Sequence, residues 1–212
     1  MNNRVSAASR VGAILLFVVL AVSAAVGMLM AHLADPAARL GSTSGVMLFN
    51  HSSPVSDFKF IDQHGEHRDQ ASFSSGWKLV FFGYTFCPDI CPTTLADLNR
   101  VWKALPDEAR QRLDVVFVSV DPQRDRPASL APYLQYFNPA FVGLTGNPQA
   151  LAQLAQEING FYARVDRGEA PYLMDHSANL MLVDAQWQFR GYIEPPFRPG
   201  RLTPILAALA GM

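Results

Sequence analysis

Residues 78–92 read KLVFFGYTFCPDICP, and two physical signals meet in them. From Lys78 to Tyr84 the run is almost continuously apolar and rich in Phe and Val. A central strand covered on both faces has this composition, because neither side has to alternate toward water. Beyond Pro92, the residues Leu95, Leu98, Val101, Trp102 and Leu105 recur at helical spacing, which predicts a helix with one buried face. Cys87 and Cys91 therefore stand between the exit of a buried strand and the start of a helix.

They are the only two cysteines of the chain. With Cys91 in the first helical turn, a four-residue spacing brings both sulfurs to one side. The unpaired N–H groups and partial positive charge of a helix N-terminus favour thiolate over thiol. Pro88 and Pro92 suit this position, since neither has to donate a backbone hydrogen bond there. Thiolates select soft metals such as Cu(I), and they also join as a disulfide. A purely structural disulfide is the plain alternative, although so short a loop removes little unfolded-chain entropy. Thioredoxin's redox signature has two residues between its cysteines, whereas three stand here. The pair alone leaves metal, redox and structural readings open.

Outward from this junction, Val115 to Val120 (VVFVSV) predicts a second buried strand ending at Asp121-Pro122. Leu130, Tyr133, Leu134 and Phe137 predict a helix after Pro127. Phe141 to Leu144 is a short strand. Asn147 and Pro148 open a helix whose buried face is Leu151, Leu154, Ala155 and Ile158, with Gly160 as its C-terminal cap. Phe161 to Val165, Leu180 to Asp184 and Phe189 to Ile193 read as strands, the last two as a hairpin, and Leu202 to Ala210 as a closing helix. On the N-terminal side, Val55 to Ile61 reads as a strand followed by a turn at 62–65. Strands alternating with helices imply an α/β sandwich with a mixed sheet.

Farther upstream, Val11 to Ala31 is an uncharged run, VGAILLFVVLAVSAAVGMLMA, of 21 residues. As a helix it spans about 31 Å, enough for the hydrocarbon core of a bilayer. Arg4 and Arg10 precede it, so the basic side stays inside and the remainder faces outward. A cleaved signal peptide competes with this reading, because Val22-Ser23-Ala24 has small residues suited to cleavage. The apolar run nevertheless continues for seven residues past Ala24, longer than a signal core needs. The expected organisation is a cytoplasmic segment 1–10, a transmembrane anchor 11–31, a flexible Gly- and Ser-containing tether 32–53 and an exported domain 54–212. That places the chain in the inner (cytoplasmic) membrane as a single-pass protein, with the C-terminal domain in the periplasm or an equivalent extracytosolic space. Apolar residues form 50% of the chain and charged ones 17%, sufficient for a proper core. A net charge of −1 with no basic stripe argues against nucleic acid as a partner.

A metal needs a further ligand, and His176, in Met174-Asp175-His176-Ser177, is the candidate. It reads as part of a polar turn before the strand at 180–184, where a lone histidine equally suits an ordinary surface role. Asp175 either orients that histidine or simply forms the turn. His64 and His67 flank Gly65 in a polar, exposed turn.

Three motifs in order now carry a resemblance. Gly83 to Pro92 (GYTFCPDICP) resembles the G-Y-T-x-C-P-D-x-C-P signature of the Sco (SenC) copper-chaperone family. Ser119 to Asp125 (SVDPQRD) is similar to its S-V-D-P-x-R-D segment, and Asp175-His176-Ser177 to its D-H-S motif; Gly143 to Gly146 (GLTG) also fits. The resemblance implies a thioredoxin-like mixed sheet flanked by helices. It implies copper, as Cu(I) or Cu(II), held by Cys87, Cys91 and His176, with Cys87 and Cys91 able to form a redox-active disulfide. Its implied partners are the copper-bearing subunit of cytochrome c oxidase, whose CuA site receives the metal, and the copper donors or thiol reductants that serve the pair. Met181 and Gln188 depart from the family pattern, standing where an aromatic residue and a turn glycine are expected. The rival activity is a thiol–disulfide oxidoreductase acting on the oxidase copper-site cysteines or other thiols. A thiol peroxidase would place a Thr three residues before its reactive cysteine, whereas Thr85 is two before Cys87. Zinc also suits a Cys and His donor set.

Overall fold

The computed structural model describes residues 7–33, 45–73 and 76–212. Residues 1–6 of the expected cytoplasmic segment and 34–44 of the expected tether lie outside the described residues. The chain divides into two units, Met1–Arg39 and Leu40–Met212. The first carries one helix, α1 (Ala7–Leu33), whose side chains from 12 to 28 are exposed. Among the described residues no helix is long and apolar enough to cross a membrane.

In the second unit the strands are β1 (Val46–Pro54), β2 (Phe60–Asp62), β3 (His67–Arg68), β4 (Trp77–Gly83), β5 (Leu113–Ser119), β6 (Val142–Thr145), β7 (Tyr162–Arg167), β8 (Ala170–His176), β9 (Leu180–Val183) and β10 (Gln188–Ile193). The helices are α2 (Ile90–Ala104), α3 (Asp107–Arg110), α4 (Pro127–Phe137), α5 (Pro148–Glu157) and α6 (Pro199–Ala210). One mixed sheet has the order β1-β10-β9-β4-β5-β6-β2-β3, and β7 and β8 form a separate ribbon. β4, β5 and β6 are parallel to one another, while the remaining neighbours in the sheet are antiparallel.

All seven residues of β4 are buried, as a strand with both faces covered requires. Its odd-numbered residues face α2 and α4. The Phe81 ring meets Phe117, Phe117 meets Tyr133 of α4, and Gly83 lies against the Cys91 sulfur of α2. Its even-numbered residues face α5: Val80 shares a small internal space with Val116, Val118 and Leu154, and the Phe82 ring fits against Gly160. Lys78 breaks the apolar run yet is only 1% exposed. Its ammonium donates to the Gly76 carbonyl at 2.9 Å and lies 4.8 Å over the Trp187 ring.

Four local features differ from the sequence expectation. β1 runs through 46–54, all but Pro54 within the expected tether, and pairs with β10; only Val46 is buried in it, so no alternation announces it. The strand expected over Val55 to Ile61 is reduced to Phe60–Asp62, and the Val55 amide instead donates to the Trp187 carbonyl at 2.8 Å. β8 was not expected, and it makes His176 the last residue of a strand rather than part of a turn. The left-handed residue closing α5 is Asn159, at φ 60°, not Gly160. Gly160 donates its amide to the Ala155 carbonyl at 2.7 Å, completing a Schellman-type end. A further small shift concerns the β9–β10 turn, where the left-handed position belongs to Trp187, at φ 55°, one residue before Gln188.

A Cβ at Gly160 would stand 2.2 Å from the Phe82 ring. Gly160→Ala is therefore expected to cost about 1–3 kcal/mol through overpacking. Asn159→Gly, which relieves the left-handed residue, should leave stability equal or higher. Urea unfolding of both variants checks the pair.

Candidate metal centre

The backbone brings the two sulfurs together at the end of β4. Gly83 accepts from the Val120 amide at 2.8 Å, which fixes the strand exit, and the Cys87 amide donates to the Tyr84 carbonyl at 3.2 Å. α2 starts at Ile90, so Cys91 lies in its first turn as the spacing predicts. The amide of Cys91 donates to Cys87 Sγ at 3.4 Å, so a sulfur answers one of the unpaired helical N–H groups. Gly83 is required here: a Cβ would stand 2.6 Å from the Phe117 ring and 3.1 Å from Cys91 Sγ.

The two thiols are unequal and unbonded, Cys87 half-buried and Cys91 without exposed surface. The hydrogen bond from the Cys91 thiol is the main cause that holds the Cys87 thiol down, to about 4. Partial burial opposes it; the His176 imidazole and the amides of Asp89 and Cys91 add to it. Cys91 is pushed up, because its proton is shared with the Cys87 thiolate and because it is buried.

His176 reaches the pair from β8, whose register places it opposite Tyr162 of β7. Its ring stands edge-on to Phe81 and Tyr84, at centroid distances of 5.8 and 5.9 Å. Nε2 lies 3.2 Å from Cys91 Sγ, and Nδ1 lies 3.0 Å from the Ser177 carbonyl. A carbonyl oxygen accepts only, so Nδ1 carries a proton, and Nε2 is the ring nitrogen turned to the sulfurs. Asp175, the residue that either orients the histidine or only forms a turn, is exposed at the neighbouring strand position, and the Ser177 carbonyl stands at Nδ1. Among the described residues, the donor atoms of Cys87, Cys91 and His176 all lie within 4.8 Å of one another. Sulfur and nitrogen bound to one ion at about 2.0–2.3 Å stand at most about 4.6 Å apart, so closing the set on a single ion asks for no more than a few tenths of an ångström of movement. Two soft sulfurs and one imidazole suit copper in either oxidation state.

Sequence reasoning missed the group that holds the loop beneath this set. Asp125 has no exposed surface, and its carboxylate accepts from the Thr85 amide at 3.0 Å, the Thr85 hydroxyl at 2.5 Å and the Ser119 hydroxyl at 2.7 Å. Its own carbonyl accepts from the Thr145 hydroxyl at 2.6 Å. Burial pushes the Asp125 carboxyl up, against these hydrogen bonds, which favour the charged form. Asp121 accepts from Tyr172 Oη at 2.9 Å and pairs with Arg124. His64 and His67 are exposed, away from the thiols. A wide depression of about 710 Å³ between Asp57–Lys59, Asp69–Ala71 and Trp187 contains neither cysteine nor histidine.

Thiol reactivity should report the asymmetry. In the reduced, metal-free chain, a single equivalent of iodoacetamide is expected on Cys87, with Cys91 labelled only after unfolding. Because the Cys87 value is lowered, its labelling rate should stay level from neutral pH down and fall only as pH drops through about 4. Mass spectrometry of peptides labelled between pH 3 and 8 checks this, and labelling that rises steeply above pH 8 would contradict it.

Residues 49–211 match the SCO1/SenC family model. A SCO2-like protein of Rickettsia conorii is 39% identical over 137 residues, which cover 63% of this chain and 65% of that relative. Among solved structures, copper-bound ScoI of Bradyrhizobium japonicum is 31% identical with a TM-score of 0.67, covering 74% of this chain and 99% of that one. Apo Sco1 of Thermus thermophilus is 35% identical with a TM-score of 0.65, covering 80% and 96%. The shared architecture is the thioredoxin-like α/β fold, a mixed sheet flanked by helices. The family model covers most of the chain, including both cysteines and His176, and the chain belongs to the SCO1/SenC family.

Proposed function

We propose that this protein is an exported copper metallochaperone: it holds copper on Cys87, Cys91 and His176 and passes it by ligand exchange to the copper-bearing subunit of cytochrome c oxidase. The observation that carries the reading is the convergence of two sulfurs and one imidazole nitrogen from elements 85 residues apart in sequence. The copper-bound relative and the family motifs support the same choice of metal. Two thiolates hold Cu(I) at low coordination, and the imidazole adds the nitrogen that Cu(II) prefers. The oxidase as recipient rests on the resemblance of the three motifs.

A second reading is favoured by the unequal thiols. A half-buried, ionised Cys87 beside a protonated, sealed Cys91 is also an attacking thiolate with a resolving partner. Such a pair would reduce a disulfide on a recipient, becoming a Cys87–Cys91 disulfide as it gives up two electrons.

Paired Cu(I) and Cu(II) titrations of the reduced full chain separate the two. His176→Ala is expected to weaken Cu(II) by more than about 100-fold, beyond the 10–100-fold typical of groups that merely orient a ligand, and Cu(I) much less. Oxidation of the pair should abolish tight binding of both states. An unchanged Cu(II) affinity in His176→Ala, with oxidase assembly intact in cells, would pass the lead to the oxidoreductase reading.

The uncharged run 11–31 is proposed as the anchor that keeps the copper domain at the membrane. The exposure of apolar side chains along α1, such as Phe17 at 78%, supports an apolar surround for it. The full chain should remain with membranes through an alkaline wash, and a reporter active only outside the cytosol should work when fused after Met212. Recovery of a soluble form starting near Ala25 would show cleavage instead.

A further inference from the structure

Arg124 lies in the loop after β5, carries no donor atom for a metal, and touches both parts of the molecule that supply donors. Its guanidinium carbon stands 3.7 Å over the Tyr172 ring, 4.9 Å over the Phe86 ring and 5.7 Å over the Tyr84 ring. Tyr172 belongs to β8, four residues before His176. Phe86 immediately precedes Cys87, and Tyr84 is edge-on to the His176 ring. Polar bonds fix the guanidinium in this position: Nε pairs with Asp121, and Nη1 donates to the Tyr172 carbonyl at 3.0 Å. Tyr172 Oη in turn donates to Asp121 at 2.9 Å, closing a ring of three residues. Arg164 also lies over the Tyr172 ring, 3.9 Å away.

The ribbon β7–β8 stands outside the main sheet, so sheet hydrogen bonding does not set its position relative to the thiols. From this geometry we propose that Arg124 is a positioning residue, which clamps Tyr172 of the ribbon to Phe86 of the cysteine loop and so sets the separation between His176 and the two sulfurs. The proposal deepens the copper reading and rests on it. A planar cation suits this place because it stacks between aromatic faces while its edge binds a carboxylate and a carbonyl; an ammonium does one or the other. The clamp acts on the nitrogen donor alone. Cys87 and Cys91 are held together by the start of α2 with or without it, so the metal state that depends on imidazole is the one that depends on Arg124.

The test compares the full-length wild type, Arg124→Ala, Arg124→Lys and Tyr172→Leu, all reduced. In Arg124→Ala, Cu(II) affinity should fall about tenfold or more with a shifted thiolate-to-Cu(II) absorption band, while Cu(I) affinity stays within about threefold. Without metal, amide hydrogen exchange at 172–176 should quicken about tenfold while β4 and β5 exchange as in wild type. Arg124→Lys should behave as Arg124→Ala. Tyr172→Leu, which removes the ring from the other side of the clamp, should move both readouts in the same direction, and it decides the matter if Arg124→Ala does not fold. The proposal is overturned by wild-type metal preference and exchange in the folded variants. Full rescue by Arg124→Lys, or exchange that quickens equally throughout the sheet, also overturns it. Failure of the wild type itself to bind copper would instead sink the copper reading, leaving the metal-free exchange to judge the clamp.

Discussion

The carboxylate of Asp125 is fully buried and takes hydrogens from Thr85 and Ser119, while the same residue's carbonyl takes one from Thr145. Those three residues stand at the exits of β4, β5 and β6, so one side chain and its own peptide tie together the ends of the three parallel strands. Taking a carboxylate out of water costs several kcal/mol unless its oxygens are satisfied. Here three donors converge on it, and the same donors stop the loop after β4 from straying. The turn at Tyr84 to Cys87, the first turn of α2 and the place of Cys87 Sγ against the Cys91 amide follow from that restraint.

The donor set is assembled in two ways. The sulfurs are a local product: four residues of spacing and one helical turn bring them together. The imidazole arrives by topology, on a ribbon whose two strands pair with each other and not with the main sheet. Phe81 and Tyr84 stand beside its ring, so the inner side of the site is apolar and the polar contacts are few and directed. Water is kept from the inner sulfur, whereas Cys87 retains access to solvent.

How much of this was legible in the sequence depended on how strongly burial imprints a residue pattern. β4, β5, α2 and α5 are buried along most of a face, and their apolar runs or helical spacings identify them. β1 is mostly exposed and β8 has no buried residue, so their composition follows the loop-like residues they contain, and neither shows a period of two. Cys87, Cys91 and His176 were named by residue chemistry and motif, but the meeting of His176 with the sulfurs is a tertiary fact. Asp175 was the reasonable polar neighbour for the histidine; a backbone carbonyl does the work instead, and every residue carries one, so no residue type marks it. Asp125 and Arg124 sit in the SVDPQRD segment, yet nothing in local pattern says that the first would be buried under three strand ends and the second stacked on three rings.

The inequality of exposure between the two sulfurs gives the site a direction. With Cys91 sealed and only Cys87 meeting solvent, an incoming donor group has one face from which to approach. An ion held by these residues would therefore meet an incoming ligand beside Cys87, the sulfur on the open side, before Cys91. Of the two thiols, Cys87 alone is therefore open to a reagent or a recipient that comes from solvent.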